Sequence, residues 1–227
     1  MPEQTETQTL ATRERLLHAA VIAFGRRDYD GVSIREVVEA ADANIAAISY
    51  HFGGKQELYL ATVAFLAERL RAGMADQFHE IEQAIGKGEP APCAQLLCRF
   101  LGSFLEQMLT GELGESAPGI IFREQHRPTD AFEILYAKLL EPMHATLASL
   151  VACHLGRSAD DREVITLSHA LLGQTMIFRI GRTTLLRRLN LPAYSKSEIT
   201  RIKSALAGYC QSLLATTLNS SSTDYHS

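Results

Sequence analysis

The apolar residues of this chain recur at helical spacing. Between residues 34 and 41, for example, Ile34, Val37, Val38 and Ala41 stand at positions i, i+3, i+4 and i+7, which is the pattern of one buried helix face. No run of strand length alternates apolar with polar residues. The sequence pattern therefore predicts an all-α chain.

Two short helices joined by a tight turn are predicted between residues 33 and 52. Ser33 and Glu36 have the spacing of a capping box, in which each side chain binds a free backbone N–H at the helix start. The turn falls at Asp42-Ala43, and Asn44 is a good N-cap for the second helix. The predicted inward face of that helix consists of Ile45, Ile48 and Phe52. This arrangement is the one that places a second helix in a DNA major groove.

Further helices are predicted on both sides of this pair. They span about 9–27, 56–85, 92–110, 117–126, 128–155, 160–189 and 196–218. Pro142 falls inside the pattern and is expected to kink its helix. We assign residues 1–57 to a three-helix helix-turn-helix domain and 58–227 to a larger helical domain. The Ser/Thr-rich tail, 219–227, is expected to be disordered.

Composition and charge narrow the class of protein. The longest apolar stretches end well short of the roughly 20 residues that a membrane helix needs, and the polar N-terminus does not resemble a signal peptide. The four cysteines lack CxxC spacing, which favours reduced thiols, a cytoplasmic location and no metal site. Residues 1–57 hold six Lys or Arg against nine Asp or Glu, so the segment lacks the positive charge typical of nucleic-acid binding.

The motifs of common enzyme chemistries are missing from the sequence, among them GxSxG, the P-loop, GxGxxG and HExxH. We therefore expect neither an enzyme nor a bound cofactor. A helical scaffold that binds a protein partner and has no affinity for DNA is a further alternative. It leaves the cluster Tyr-His-Phe-Gly-Gly-Lys, at residues 50–55, unexplained.

Three pieces of residues 9–60 resemble the N-terminal domain of the TetR family of bacterial transcriptional regulators. They are Ala23-Phe24, residues 31–37 (GVSIREV) and, above all, residues 47–58 (AISYHFGGKQEL). Where the family usually has Gly in the turn stands Asp42, which tolerates a left-handed backbone. Residues 122–135 and 173–182 are similar to the CecR-like subgroup, whose members respond to drug-like or xenobiotic compounds.

The resemblance implies which side chains contact DNA. In the family pattern, the tyrosine and histidine touch backbone phosphates, and the lysine lies beside a phosphate at the start of the next helix. Hydroxyl, imidazole and ammonium groups suit this role because all of them donate hydrogen bonds. Small side chains permit close approach to a thymine methyl group. The predicted DNA-binding residues are Ser33, Arg35, Asn44, Ala46, Ala47, Ser49, Tyr50, His51 and Lys55.

A ligand pocket is expected between the long helices of residues 60–180. Its candidate residues are Phe104, Met108, Phe122, Arg123, His126, Gln174, Phe178 and Arg179. The alternative for the arginines is a structural ion pair with Glu124 or Glu133. Apolar residues of the last helix recur at 3, 4, 3, 4 spacing, which suits a seam between helices, either inside the chain or between two copies. The candidate dimer residues are Leu167, Leu171, Ile202, Leu206, Tyr209 and Leu213.

Together these features predict a homodimeric repressor that a drug-like or xenobiotic effector releases from a pseudo-palindromic operator. A fatty-acyl compound or another metabolic intermediate is the alternative effector. An activator would carry the same sequence features.

Overall fold

The computed structural model describes residues 2–87, 90–111 and 113–221. Within these ranges the regular structure is helical, without strands, so the all-α prediction is confirmed. The α-helices are, in chain order, α1 (Pro2–Arg26), α2 (Ile34–Ala40), α3 (Ala46–His51), α4 (Lys55–Ala72), α5 (Ala75–Lys87), α6 (Pro90–Thr110), α7 (Ala117–His126), α8 (Asp130–Leu135), α9 (Glu141–Leu155), α10 (Arg162–Ile180), α11 (Arg182–Leu189) and α12 (Lys196–Ser221), with a π-helical turn at Tyr136–Leu140 between α8 and α9.

The chain forms two compact units, each of which is discontinuous in sequence. The first contains Met1–Gly73 and Gly111–Leu140, and the second contains Met74–Thr110 and Glu141–Ser227. In the first unit, α1 packs against α2, α4 and α7, and α4 also packs against α8. In the second, α6 packs against α9, α10 and α12. Helices α7 and α8 therefore belong to the same unit as the helix-turn-helix pair.

Three predicted long helices are interrupted in the structure. The predicted helix over 56–85 breaks at Gly73, which ends α4, and the one over 160–189 breaks at Gly181, between α10 and α11. The helix predicted over 128–155 contains the π-helical turn, and Pro142 lies in the first turn of α9. Proline is tolerated there because the first N–H groups of a helix have no partner inside it. The predicted disordered tail lies outside the described residues from 222 onward, and 219–221 continue α12.

The expectation of reduced thiols is wrong for one pair of cysteines. Cys93 on α6 and Cys153 on α9 form a disulfide, with their Cα atoms 6.2 Å apart. The two residues are 60 positions apart in sequence, so only the packing of α6 on α9 brings them together. Cys98 and Cys210 have free thiols.

Two negative findings apply to the described residues. None of their helices combines the length and apolarity that a membrane span requires. No cluster of three or more His, Cys, Asp or Glu side chains that could hold a metal ion occurs among them.

Candidate nucleic-acid interface

The helix-turn-helix pair forms as its sequence predicts. At the start of α2, the Ser33 hydroxyl accepts from the backbone N–H of Arg35, and the Glu36 carboxylate accepts from the N–H of Ser33, which completes the capping box. In the turn, Asp42 has a φ of 48°, in the left-handed region that Asp tolerates better than most residues. The substitution of Asp for the usual turn glycine is therefore compatible with the motif.

A side chain from α1 holds this turn in place. The Arg15 guanidinium donates to the carbonyl oxygens of Ala41, at 3.0 Å, and Asp42, at 3.4 Å. These carbonyls lie at the C-terminal end of α2, where a cation is favoured by the helix dipole. Helical periodicity places Arg15 on the exposed side of α1 and does not reveal this contact.

The start of α3 differs from the prediction in one respect. Asn44 acts as a cap, since its side-chain oxygen accepts from the N–H of Ala46 at 3.0 Å. Ile48 is buried, as predicted, and Phe52 is half-buried under the Arg13 guanidinium, which lies 5.5 Å from the ring centroid. Ile45, however, is 52% exposed rather than inward-facing. An exposed isoleucine at the start of this helix is a candidate for apolar contact with base edges.

Tyr50 and His51 differ in exposure although they are adjacent. Tyr50 is 77% exposed, and its ring meets the His51 ring edge-on, with the centroids 4.9 Å apart. His51 is half-buried, and this burial lowers the pKa of its imidazole. The nearby positive charge of Arg13 lowers the pKa further, by a smaller amount. His51 is therefore neutral at neutral pH in the free protein, with one ring N–H as donor.

Lys55 lies at the first position of α4, where the chain turns sharply. Gly53 makes this turn with a φ of 91°, a backbone conformation that residues with a Cβ rarely adopt. The Lys55 ammonium group lies 4.5 Å from the centroid of the Tyr29 ring. The N-cap residue of α4, Gly54, has no capping side chain, so the first N–H groups of α4 and the Lys55 ammonium together suit an anion such as a phosphate.

The remaining predicted DNA-binding residues precede these three side chains in sequence. Ser33, Arg35, Ala46 and Ser49 are exposed, and Ala47 is half-buried. The Ser33 hydroxyl accepts a hydrogen bond as a cap, and its own O–H is still a donor.

The acidic excess of residues 1–57 is reduced by cations from elsewhere in the chain. Glu14 pairs with Arg69 of α4, and Asp28 pairs with Arg123 of α7 at 3.0 Å. Glu36 forms a bidentate pair with Arg27, a cation that the count of residues 1–57 already includes. A count of charges along residues 1–57 therefore overstates the negative charge of this part of the fold.

Helix α7 contacts α1 more closely than two helices with ordinary side chains can. A Cβ added to Gly119 would lie 1.9 Å from the carbonyl oxygen of Gly25, and one added to Gly25 would lie 2.3 Å from that of Ser116. Arg123 donates to the carbonyl oxygens of Phe24, at 2.9 Å, and Arg27, at 2.8 Å, at the end of α1. We call these contacts, with the Arg123–Asp28 pair, the α1–α7 interface.

A buried carboxylate lies in the same part of the unit. Glu124 is 1% exposed and accepts three hydrogen bonds, from the Tyr59 hydroxyl at 2.6 Å and from the backbone N–H and the hydroxyl of Thr129 at 3.1 and 2.8 Å. Burial and the Glu124 carboxylate raise the pKa of Tyr59, so its hydroxyl stays protonated and donates. The Tyr59 hydroxyl thus connects α4 to α7.

The predicted ligand-binding residues divide between the two units. Phe122, Arg123 and His126 lie on α7 in the first unit, and Phe104, Met108, Gln174, Phe178 and Arg179 lie on α6 and α10 in the second. The alternative prediction for Arg123, an ion pair with Glu124 or Glu133, is wrong. Arg123 binds Asp28 and the carbonyl oxygens of Phe24 and Arg27 instead. His126 is exposed. Gln174 donates to the Tyr209 hydroxyl at 2.8 Å.

Several predicted dimer residues are packed inside the chain. Leu171, Ile202 and Leu206 are each less than a tenth exposed, so they belong to the core of the second unit and cannot present a surface to another copy. Leu167 and Leu213 are half-buried, and Tyr209 is exposed. The 3, 4, 3, 4 spacing on α12 thus describes mainly an intramolecular seam.

Comparisons with known proteins agree with this architecture. A model of the tetR family of bacterial regulatory proteins matches residues 16–62, and a model of the C-terminal domain of the HTH-type transcriptional dual regulator CecR matches residues 93–217. CecR of Shigella flexneri is 29% identical over 204 residues, which cover 89% of this chain and 91% of the relative.

Two solved structures show the same fold. A TetR-family regulator from Mesorhizobium loti aligns with a TM-score of 0.57 at 20% identity, over 90% of this chain and 97% of its own. A transcriptional regulator from Rhodococcus sp. Rha1 aligns with a TM-score of 0.57 at 21% identity, over 87% and 95%. The family matches are to transcriptional regulators and not to enzymes. The chain belongs to the TetR family of DNA-binding transcriptional regulators, with a C-terminal domain of the CecR type.

Proposed function

We propose that this DNA-binding regulator is a homodimeric repressor, released from an inverted-repeat operator by a drug-like or xenobiotic small molecule. The observation that carries the proposal is the α1–α7 interface. Helix α7 lies within the residues matched by the CecR-type C-terminal model, and its Arg123 binds the end of α1, the first helix of the DNA-binding domain. A displacement of α7 would therefore be transmitted to α1 through backbone contacts that have no room to yield.

The proposed division of labour follows the sequence: residues 1–57 bind DNA, and residues 58–227 bind the effector and a second copy. Two α3 helices of a dimer would enter successive major grooves about 34–36 Å apart. Tyr50, His51 and Lys55, with the start of α4, would contact phosphates and fix the register. A protein with this partner acts where the chromosome is, which for a bacterial regulator is the cytoplasm.

Base reading is proposed for the first turn of α3. Its exposed side chains there are Ile45 and Ala46, and the Asn44 side-chain oxygen is used as a cap. Apolar groups of this kind recognise the methyl group of thymine.

A surface of α10 and α12 is proposed for the dimer in place of the buried leucines. Ile177, Gly173 and Tyr209 are exposed, and the hydrogen bond from Gln174 to Tyr209 joins the two helices in this region. Exposed apolar side chains beside a small residue permit close packing of a second copy.

The effector class rests on half-buried apolar side chains of the second unit, Phe104 and Met108 on α6 and Phe178 on α10. They suit a compact apolar compound. A fatty-acyl compound is the alternative effector. The Shigella relative is named a dual regulator, so activation is kept as the alternative to repression. Release of fluorescent operator by a panel of hydrophobic drugs, set against acyl thioesters of increasing length, distinguishes the two effector classes.

An in vitro selection of genomic DNA fragments on the purified protein tests DNA recognition. We expect an inverted repeat to be enriched, and the enrichment to be lost with Tyr50→Ala. Tyr136→Ala, a change of an exposed tyrosine on the π-helical turn, serves as the matched control and should retain the site. No enrichment at low salt, where phosphate contacts are strongest, would contradict the proposal.

The dimer surface is tested by analytical ultracentrifugation. Ile177→Glu with Tyr209→Glu should yield monomers, whereas Leu189→Glu, at an exposed leucine of α11, should leave the dimer intact. An unchanged sedimentation coefficient for the double variant would exclude this surface.

A further inference from the structure

The second unit contains a groove lined by α5, α6 and α12. It encloses about 530 Å³. Its apolar side chains include Ile81, Leu96 and Phe100, all nearly fully buried, and Phe100 packs against Phe78, with ring centroids 5.7 Å apart. A groove of this size and apolar lining fits a small organic molecule rather than a single ion.

Charged residues at the groove are already paired. Arg99 forms an ion pair with Glu80, and Lys203 forms one with Glu106 at 2.6 Å. The lining therefore presents little net charge to an occupant, which argues for a neutral ligand.

One polar atom of the lining lacks a hydrogen bond. Gln77, on α5, lines the groove, and its side-chain Oε1 is buried without a partner among the described residues. A buried carbonyl oxygen in this state is costly, because it has lost its water and gained nothing in return. An N–H or O–H donor of a bound molecule would satisfy it.

A thiol also lines the groove. Cys98 of α6 is half-buried, with its sulfur 3.9 Å from the carbonyl oxygen of Ala207, and the fully buried Cys210 of α12 lies behind it. The neighbouring Cys210 thiol lowers the pKa of Cys98 against the opposing effect of burial. The same contact and burial raise the pKa of Cys210. Cys98 lines the groove, whereas Cys210 is fully buried behind it, so Cys98 is the thiol that a molecule in the groove can reach.

We propose that this groove is a covalent ligand site, in which a neutral α,β-unsaturated carbonyl compound donates a hydrogen bond to Gln77 and adds to Cys98. In the reaction, the Cys98 sulfur forms a bond to the β-carbon and the carbon–carbon π bond breaks. Its electron pair passes to the α-carbon, which takes up a proton equal to the one that the thiol lost. The addition needs no oxidant or other reagent, and the site does not depend on the proposed function at DNA.

Each part of the lining has a separate task in this reaction. The apolar side chains bind the carbon skeleton, the Gln77 oxygen selects molecules that carry a donor, and the Cys210 thiol stabilises the attacking thiolate. The contact between Cys98 and Cys210 also suggests a disulfide as the rival product, but that reaction consumes an oxidant, whereas the addition does not.

The test compares two reagents that differ in one feature. Acrylamide carries an N–H donor and N,N-dimethylacrylamide carries none, and the reaction of each with glutathione gives its intrinsic rate. The native protein, with its Cys93–Cys153 disulfide intact, is treated with each reagent, and the modified cysteine is located by peptide mass mapping. We expect the adduct at Cys98, with a preference for acrylamide roughly three- to tenfold above that of glutathione, the range that one hydrogen bond supports.

Three variants and one control variant test the roles of Gln77, Cys98 and Cys210. Gln77→Leu should reduce the preference to that of glutathione, whereas Gln83→Leu, at an exposed glutamine of the same helix, should retain it. Cys98→Ser should abolish the adduct. Cys210→Ala should move the pH midpoint of the reaction upward, with helicity measured by circular dichroism to establish that the variant is folded.

Other results would overturn the proposal. Modification at Cys210, or at no cysteine, would do so. So would a Cys98 reaction with the same reagent preference as glutathione, or a Cys98–Cys210 disulfide as the sole product.

Discussion

Two tyrosines of the first unit, Tyr50 and Tyr59, illustrate two opposite uses of the same side chain. Tyr50 lies in the last turn of α3 with most of its surface exposed, whereas Tyr59 is 5% exposed and donates to the buried Glu124 carboxylate. The helix-turn-helix surface around Tyr50 presents polar groups to solvent. At the α1–α7 interface, and around Glu124 with its partners Tyr59 and Thr129, the polar groups bind one another inside the protein. Substitutions at the first region should therefore change DNA affinity, and those at the second should change stability.

The largest effect is expected at the helix-turn-helix surface. Tyr50→Ala with Lys55→Ala removes two donors proposed to bind phosphates, and hydrogen bonds to charged groups are each worth about 1.5–3 kcal/mol. We expect operator affinity to fall by roughly two to four orders of magnitude at unchanged helicity and melting temperature. Fluorescence anisotropy with labelled operator measures the first, and circular dichroism the others. A lower melting temperature for the double variant would instead assign these side chains to the core.

The next largest effect is expected from the closest contact of the α1–α7 interface. Gly119→Ala places a methyl group against the Gly25 carbonyl oxygen, which belongs to the backbone and cannot rotate away. Overpacking of this kind costs about 3 kcal/mol at the upper end of its usual range. Differential scanning calorimetry should record a melting temperature lower by roughly 6–12 °C.

A matched control exists for this glycine. Gly86 is a helical glycine of α5 with nothing within 4 Å of an added Cβ, so Gly86→Ala should leave the protein equally stable or stabilise it slightly. Equal melting temperatures for the two alanine variants would show that α1 and α7 have room to separate.

The two tyrosines allow the comparison to be made with one chemical change. Tyr59→Phe removes one of three donors to the Glu124 carboxylate, which should lower the free energy of unfolding by about 1.5–3 kcal/mol. Tyr50→Phe removes an exposed hydroxyl and should leave that free energy within about 0.5 kcal/mol of its original value. Urea denaturation followed by circular dichroism measures both. Equal losses would contradict the assignment of the buried hydrogen bond.

A smaller effect is expected from Ile45. Ile45→Ala removes apolar contact with a base edge at about 0.8 kcal/mol per buried methylene, so operator affinity should fall roughly three- to tenfold. Replacement of operator thymines by deoxyuridine, one position at a time, removes the methyl group from the DNA side. At one position, the replacement should weaken operator binding by the original protein and leave binding by the Ile45→Ala variant unchanged. Equal losses for both proteins at every position would exclude Ile45 as the contact.

The smallest effect is a pH dependence of DNA binding. The pKa of His51 is lowered in the free protein by partial burial and by Arg13, and a neighbouring phosphate would raise it in the complex. Binding then takes up a proton, so operator affinity should increase a few-fold as the pH falls through the interval between the two pKa values. His51→Gln should flatten this part of the profile, measured by anisotropy at constant ionic strength. An unchanged slope in the variant would assign the dependence to another group.

The local features of the helix-turn-helix pair were predictable because short-range chemistry specifies them. The capping box at Ser33, the Asn44 cap and the left-handed Asp42 each depend on residues within three positions, and all three are present in the structure. The prediction that Ile45 faces inward was wrong because α3 begins only at Ala46, so the helical period does not yet apply at residue 45.

The contacts that join distant segments were not predictable in the same way. Arg123 meets α1 across 95–99 positions, and Glu124 meets Tyr59 across 65. Their polar side chains in apolar surroundings indicated that each needed a partner, but periodicity does not identify the partner. The dimer candidates were affected by the same limit, because apolar spacing on α12 is identical for a seam within the chain and one between copies.

The sequence by itself determined the helical class, the helix-turn-helix pair and the family, since these follow from residue spacing, caps and turn chemistry that act over a few positions. Only the tertiary structure decided that α7 lies against α1 at Gly25 and Gly119, that Cys93 pairs with Cys153, and that Gln77 and Cys98 line one groove. The physical reason is that packing of helices joins residues whose separation along the chain carries no information about their distance in space.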